Sequence, residues 1–262
     1  MRGTSPRLSL WSGIVFHVKP REDSVAAFAA MICQQADSVG VEVQEEACAQ
    51  LLRHLQQVLR ANQSFNLTSI TDAFTAVRLH IVDSLVGAPD VMSAPPGRLA
   101  DIGSGAGYPG IPLAIVTRRH TTLFESNGKK SAFLRDVVLD LGLGSRIEVA
   151  GKRSEELSED QRDRCGVVTA RALSSIPSLL ELASPLLQVG GLLIAYKGVV
   201  SNEERSRGEE AARVLGFESR GERRIFLPVG GEERTIVKYV KCDAPDVSLP
   251  RRPGLAQRRP LV

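Results

Sequence analysis

Three carboxylates, an arginine and a run of glycines are the groups in this chain placed to do chemistry. The stretch from Arg98 to Val116 reads RLADIGSGAGYPGIPLAIV. Leu99 to Ile102 forms a short apolar strand, glycines follow at 103, 105, 107 and 110, and Ile111 to Val116 can begin a helix. Strand, glycine loop and helix is how an α/β sheet offers backbone N–H groups and a helix N-terminus to a ligand. Missing side chains let the ligand lie directly on the backbone. Asp101 stands just before the loop. Glu125 ends the next expected strand, where a carboxylate accepts hydrogen bonds from both hydroxyls of a ribose; the plainer reading is a surface acid in a turn. Ser154 and Glu155 follow the third strand, over which an adenine ring would lie. They are also good helix-capping chemistry, and both readings can hold together. Arg171 ends the fourth strand in an apolar context. Carboxyl ends of parallel strands face the binding crevice, so its guanidinium would meet a carboxylate or a phosphate.

The register of the glycines narrows the ligand. Gly105-Ala-Gly107-Tyr-Pro-Gly110 formally matches the dinucleotide pattern G-x-G-x-x-G. In a dinucleotide site, however, the first glycine closes the turn directly after the strand. Here that glycine is Gly103, and counting from it gives G-x-G-x-G with Tyr108 next. Pro109 and Pro112 also lack N–H groups to face a pyrophosphate. An acid before the loop followed by G-x-G-x-G resembles the first motif of S-adenosylmethionine-dependent methyltransferases.

Other reactive arrangements are sparse. His80 and Asp83 stand one helical turn apart and can touch. Such a pair suggests a general base but is more often structural. The cysteines, at 33, 48, 165 and 242, have neither C-x-x-C nor C/H metal spacing, so they are expected to be reduced thiols of a cytosolic protein, and no metal site is expected. Methyl transfer to a ring nitrogen with a free lone pair needs approach and alignment rather than deprotonation. An enzyme of that kind can lack an obvious base.

The elements that must position these groups follow from pattern. Residues 1–20 have no clear period and are expected to be a flexible extension. Leu8 to Val18 is broken by polar residues and lacks a cleavage site, so no signal peptide is expected, and no stretch is apolar enough to cross a membrane. Residues 21–97 read as a helical region: helices over Glu22 to Ala36 and Val43 to Ala61, an irregular link from Phe65 to Ile70, and a helix capped by Thr71-Asp72 that continues to Val86. From residue 98 to 245 strands and helices alternate. The expected strands are Leu99 to Ile102, His120 to Phe124, Arg146 to Val149, Gly166 to Thr169 and Leu192 to Tyr196. The helices between are Lys129 to Leu141, capped by Asn127, Pro177 to Leu187 and Ser201 to Leu215. Ile225 to Val229 and Thr235 to Val240 alternate as an antiparallel pair across Gly230-Gly231. This predicts an α/β fold with a mostly parallel sheet and a hairpin at its edge. Residues 246–262 carry Arg251, Arg252, Arg258 and Arg259 with no acid beyond Asp246. They read equally as a solvated tail or as a phosphate-contacting arm. The net charge of +3 permits a nucleic-acid partner without requiring one.

Several motifs together resemble the RsmG family, also called glucose-inhibited division protein B. They are Asn66-Leu67-Thr68, His80-Ile-Val-Asp83-Ser84-Leu85, the stretch from Asp101 through Pro109-Gly110-Ile111-Pro112, Glu125 to Arg135, Thr169 to Ala172, Gly190-Gly191, Lys197-Gly198 and Pro250-Arg-Arg-Pro-Gly. The resemblance implies a class I (Rossmann-like) methyltransferase with a seven-stranded, mostly parallel sheet and an antiparallel edge hairpin. It implies transfer of a methyl group from S-adenosyl-L-methionine to N7 of a guanine in 16S ribosomal RNA of the 30S subunit, by a cytoplasmic monomer. It implies cofactor contacts at Gly103, Gly105, Gly107, Tyr108, Glu125, Ser154, Glu155 and Arg171. Asn66, His80, Asp83, Lys129, Lys130 and Lys197 would surround the entering base, with Arg171 and His80 near the transfer site, and Arg251 and Arg252 would contact RNA. The chain departs from the family pattern at Tyr108, where leucine is usual, and at Leu79, where a basic residue is common and Arg78 stands one position earlier.

Overall fold

The computed structural model describes residues 22–157 and 162–262; the extension expected over residues 1–20 lies outside them. The core is one seven-stranded sheet in the order β3-β2-β1-β4-β5-β7-β6. Its strands are β1 (Arg98–Ile102), β2 (Thr121–Phe124), β3 (Ile147–Ala150), β4 (Cys165–Arg171), β5 (Leu187–Lys197), β6 (Phe217–Phe226) and β7 (Glu233–Lys241). β1 to β5 pair in parallel, while β7 runs antiparallel to both β5 and β6. The central strands are buried along nearly their whole length, as a sheet with helices on both faces requires.

Helices α1 (Glu22–Asp37), α2 (Glu45–Ala61), α6 (Gly110–Thr117) and α7 (Gly128–Asp140) share one hydrophobic cluster with one face of the sheet. In α2, Leu51, Leu52, Leu55 and Val58 are at most 2% exposed, each burial contributing about 1.5–3 kcal/mol before chain entropy is subtracted. The helix capped by Asp72 begins as α3 (Ala73–Ala76), passes through a π-helical stretch (Val77–Val82) and closes as α4 (Asp83–Leu85). The short α5 (Ala88–Ser93), with proline in its first turn, precedes β1. On the other face α8 (Ile176–Ala183), α9 (Asn202–Val214) and the last turn α10 (Leu255–Arg258) form a second cluster. The caps expected at Asp72 and Asn127 are present, and Ser201, expected as the first residue of its helix, caps α9 instead: each side chain accepts from an N–H two or three residues on.

Three expectations about local structure are corrected. The helix after β4 stops at Ala183 and β5 starts at Leu187, because Gly190-Gly191 lies inside a bent strand rather than before one. β6 begins at Phe217, eight residues earlier than expected, and its charged side chains are exposed on an edge strand, where charge blunts unwanted pairing. Cys33 and Cys48 form a disulfide between α1 and α2, with Cα atoms 6.1 Å apart; only Cys165 and Cys242 are free. Sequence spacing says nothing of a pair that tertiary packing brings together. The C-terminal segment is not a solvated tail. Leu249 and Ala256 are buried in the second cluster, and Leu261 and Val262 pack on it. No described helix is long and apolar enough to cross a membrane.

Candidate functional site

The loop between β1 and α6 is held by Asp101. Its carboxylate accepts from the Thr169 hydroxyl (2.9 Å) and the Gly110 N–H (3.2 Å), joining β1, β4 and the start of α6. The group is fully buried, and burial pushes its carboxyl up to about 6, against the pull of those donors. Gly110 has no room for a side chain: an added Cβ would lie 2.7 Å from the Asp101 Oδ2. Gly103 and Gly105 adopt φ of +72° and +57°, the left-handed region that glycine enters without steric penalty. At Gly105 an added Cβ meets only one atom, the Gly103 carbonyl oxygen at 3.9 Å, so this part of the loop faces open space. Glu125 lies beside it, with Oε2 accepting from the Gly105 N–H (3.0 Å) and Oε1 from the Asn127 N–H (2.7 Å).

Gly103, Gly105 and Glu125 line a cavity of about 290 Å³, together with Lys130, Ser154, Glu155 and Leu173. Ser154 is buried and donates to Glu155 Oε2 (3.3 Å), while Glu155 Oε1 accepts from the Gly254 N–H (2.7 Å). Gln257 also lines the cavity and accepts from Arg153 (3.1 Å). The C-terminal segment therefore walls this cavity.

A second cavity, of about 380 Å³, lies across the turn that follows β4. Ala172 lines it while the next residue, Leu173, lines the first. Its charged wall is a network around Asp83, whose side chain is 3% exposed. One Asp83 oxygen pairs with Arg171 (2.9 Å), the other with Arg234 (2.8 Å). Arg171 also donates to the Leu79 carbonyl (3.1 Å). Tyr196 donates to the Ser84 carbonyl (2.8 Å), and Lys197 pairs with Glu204 (2.7 Å) while donating to the Ser174 carbonyl.

His80 and Asp83 do not form the pair that their spacing suggested. His80 Nε2 bonds the Thr68 hydroxyl (2.9 Å), and both Asp83 oxygens are taken by arginines. Tyr108 explains where the His80 ring goes. Its side chain is buried and sandwiched between His54 (ring centroids 4.5 Å apart) and His80 (4.7 Å), with the Arg171 guanidinium 5.5 Å from the Tyr108 centroid. Burial pulls His54 down to about 4. Burial, and then the nearby Arg171 charge, pull His80 down to about 3. Both rings are neutral at pH 7. His54 bonds the Ala106 carbonyl at 2.8 Å, tying α2 to the glycine loop.

The other expected residues scatter. Lys129 is exposed at the start of α7 and Lys130 is half-buried. Asn66 is exposed; its neighbour in sequence, Asn62, orders the link by accepting from the N–H groups of Leu67 and Thr68. Arg78 pairs with Glu232 at the tip of the β6–β7 hairpin. Arg251 is committed to a bidentate pair with the buried Glu181 (2.6 and 2.5 Å), a correction to its reading as a phosphate contact: the acid it neutralises lies 70 residues away in sequence. Arg252 is exposed. Sequence reading missed His54, Arg234 and Asn62. The stripe of α2 carried the only signal for His54, a polar residue on a buried helical face.

A seven-stranded sheet in this order, with an acid-anchored glycine loop after β1 and a reversed terminal hairpin, defines a class I, Rossmann-like methyltransferase fold. The GidB family model, described as rRNA small subunit methyltransferase G, matches residues 47–224. Several relatives bear the name ribosomal RNA small subunit methyltransferase G. That of Chloroflexus aggregans is 38% identical over 238 residues, spanning 88% of this chain and 97% of the relative. That of Roseiflexus castenholzii is 38% identical over 230 residues, spanning 87% and 97%. The chain belongs to the rRNA small subunit methyltransferase G family, the one its motifs resemble. Among solved structures, a precorrin-6y C5,15-methyltransferase of Geobacter metallireducens aligns with 60% of this chain and 86% of its own, at 13% identity and a TM-score of 0.45.

Proposed function

We propose that this protein transfers a methyl group from S-adenosyl-L-methionine to N7 of a guanine in 16S ribosomal RNA, acting on the 30S subunit as a cytoplasmic monomer. The observation that carries the reading is the pair of cavities on either side of residues 172–173, one walled by glycine backbone and the other by arginines. Family membership supplies the reaction class.

The first cavity suits the cofactor. Its floor at Gly105 is open, and the Glu125 carboxylate spends one acceptor position per oxygen on backbone N–H groups. A carboxylate offers about four positions, so two remain for ribose hydroxyls. Gly103, Gly105, Gly107 and the Tyr108 backbone would hold the methionyl side, with Ser154 and Glu155 near the adenine. When bound, the cofactor supplies an electrophilic methyl on a sulfonium centre.

The second cavity suits the guanine. Arg171 keeps donors beyond those given to Asp83 and Leu79, enough to hold a base edge or a phosphate. His80 lines the wall as a neutral ring. No proton has to leave N7, so alignment is the work this pocket performs. Asn66, Lys129, Lys130, Lys197 and Arg252 stand as cations and polar groups for the surrounding RNA.

The test is transfer of labelled methyl from S-adenosyl-L-methionine to 30S subunits lacking the modification, beside calorimetry with the cofactor. Cofactor binding together with label in 16S RNA is expected. Cofactor binding with no label in RNA removes the substrate assignment, and no cofactor binding removes the enzyme.

A further inference from the structure

The four parallel strands β1 to β4 share an amino edge, opposite the rim that carries both cavities. Each is entered through a cation. Arg98 is the first residue of β1, Arg118 and Arg119 precede β2 with the imidazole of His120 beside them, Arg146 precedes β3 and Arg164 precedes β4. The sheet order β3-β2-β1-β4 sets these entries side by side, with neighbouring strands about 4.8 Å apart. All but Arg146 line a cavity of about 890 Å³, whose wall holds one acid, Glu148, among the described residues.

Two of these cations are already used. Arg98 pairs with Glu148 (3.2 Å). Arg119 donates to the carbonyls of Ala94 (2.5 Å) and Pro95 (2.7 Å), closing the segment between α5 and β1. The rest are uncommitted. Arg118, His120 and Arg164 are exposed and Arg146 is half-buried. No hydrogen bond or ion pair engages their side chains among the described residues. Glu42 and Glu46 share an adjoining cavity with Arg118 and Arg146 but pair with neither. Arg171, Arg223, Arg234 and Arg251 all hold buried or half-buried acids.

We propose that this amino edge is a second RNA-docking surface, on which Arg118, Arg146, Arg164 and His120 hold backbone phosphates of the substrate while the target base is engaged at the opposite rim. The proposal rests on the rRNA reading. Uncommitted arginines around an open cavity suit a phosphate backbone, which is held by charge and not by a fixed fit. Contacts of this kind position the enzyme and leave the choice of base to the other rim. They also require a substrate large enough to reach both edges, as a folded ribosomal subunit is.

The test compares wild type with the double variant Arg118→Gln/Arg164→Gln, and with Arg213→Gln on α9 as a control of equal charge loss per site. Binding to 30S subunits and to protein-free 16S RNA is measured across a salt series, beside methylation kinetics and cofactor affinity. The double variant is expected to lower the salt slope by about 1 per lost contact. It should raise KM for the RNA about tenfold, with unchanged cofactor affinity and unchanged rate at saturating RNA. Arg213→Gln should leave the slope as in wild type. A double variant with the wild-type slope and KM overturns the proposal while the methyltransferase reading stands. Lost affinity for 30S subunits but not for protein-free RNA assigns the edge to a ribosomal protein and also overturns it. A wild type that binds cofactor yet does not bind or methylate either RNA overturns both readings.

Discussion

The two cavities at the carboxyl rim solve different problems with different materials. The cradle beside Gly105 is backbone: positive-φ glycines, one carboxylate bridging two N–H groups, and a buried aspartate that pins the loop from beneath. The pocket beside Arg171 is side chain: one buried aspartate balances two arginines drawn from β4 and β7. Backbone cradles are rigid and indifferent to most of the ligand. Charged pockets are strong while complete and fail when one member is lost.

The difference can be broken most severely at Asp83. Asp83→Ala leaves Arg171 and Arg234 without their buried counter-charge, and about 3–5 kcal/mol of stability is expected to go, read by denaturant unfolding. At temperatures where the variant remains folded, cofactor affinity should survive and RNA methylation should not. Equal loss of both would merge the two cavities into one functional unit.

Asp101 gives the corresponding test for the cradle. Its carboxyl rises from an ordinary 3.8 to about 6 on folding, so the folded state holds its proton more tightly than the unfolded chain. The stabilisation is full below pH 4 and is lost as pH rises through 6, a total of about 3 kcal/mol. Asp101→Asn should remove that decline. His54 and His80, pulled down on folding, contribute the opposite slope: stability present above pH 6.5 and lost as pH falls toward 4 and 3. That slope is common to both proteins, so the difference between their pH–stability curves isolates Asp101. Coincident curves would mean that its burial has no thermodynamic weight.

How much of this was readable beforehand follows the same division. The cradle is local. Glycine spacing, the acid before it, Glu125 and the Asn127 cap lie within 27 residues, and short-range geometry dictates what each can do. The arginine pocket is assembled from segments up to 151 residues apart. Nothing around Arg234 marks it as the second partner of Asp83. Period and spacing likewise suggested that His80 would touch Asp83, yet a buried tyrosine and the Thr68 hydroxyl claimed the ring. The same blindness covers the Cys33–Cys48 pair and the contacts of Arg251 with Glu181 and of Gly254 with Glu155, which turn a basic tail into a wall of the cradle. Periodicity sees a helix's face but not what that face will meet.

Smaller effects sharpen the comparison. Glu125→Gln keeps the shape of the cradle and removes the charge that strengthens its hydrogen bonds. Cofactor affinity is expected to fall about tenfold to a hundredfold, matching 1.5–3 kcal/mol for bonds to a charged acceptor, with calorimetry as the readout. An unchanged affinity would take Glu125 out of ligand binding and leave it as a loop brace. Asn66→Ala, at an exposed position, should change stability by less than about 0.5 kcal/mol and raise KM for RNA without altering cofactor affinity. A wild-type KM would remove Asn66 from the RNA surface.

The central claim is that the cradle and the arginine pocket together place a methyl group on N7 of a guanine. N7-methylguanosine makes RNA open to strand scission by reduction followed by aniline treatment, so its position can be mapped directly. After reaction of the protein and S-adenosyl-L-methionine with unmodified 30S subunits, scission at a single guanine of 16S RNA is the predicted result. Methyl label in 16S RNA with no scission at any guanine would contradict it.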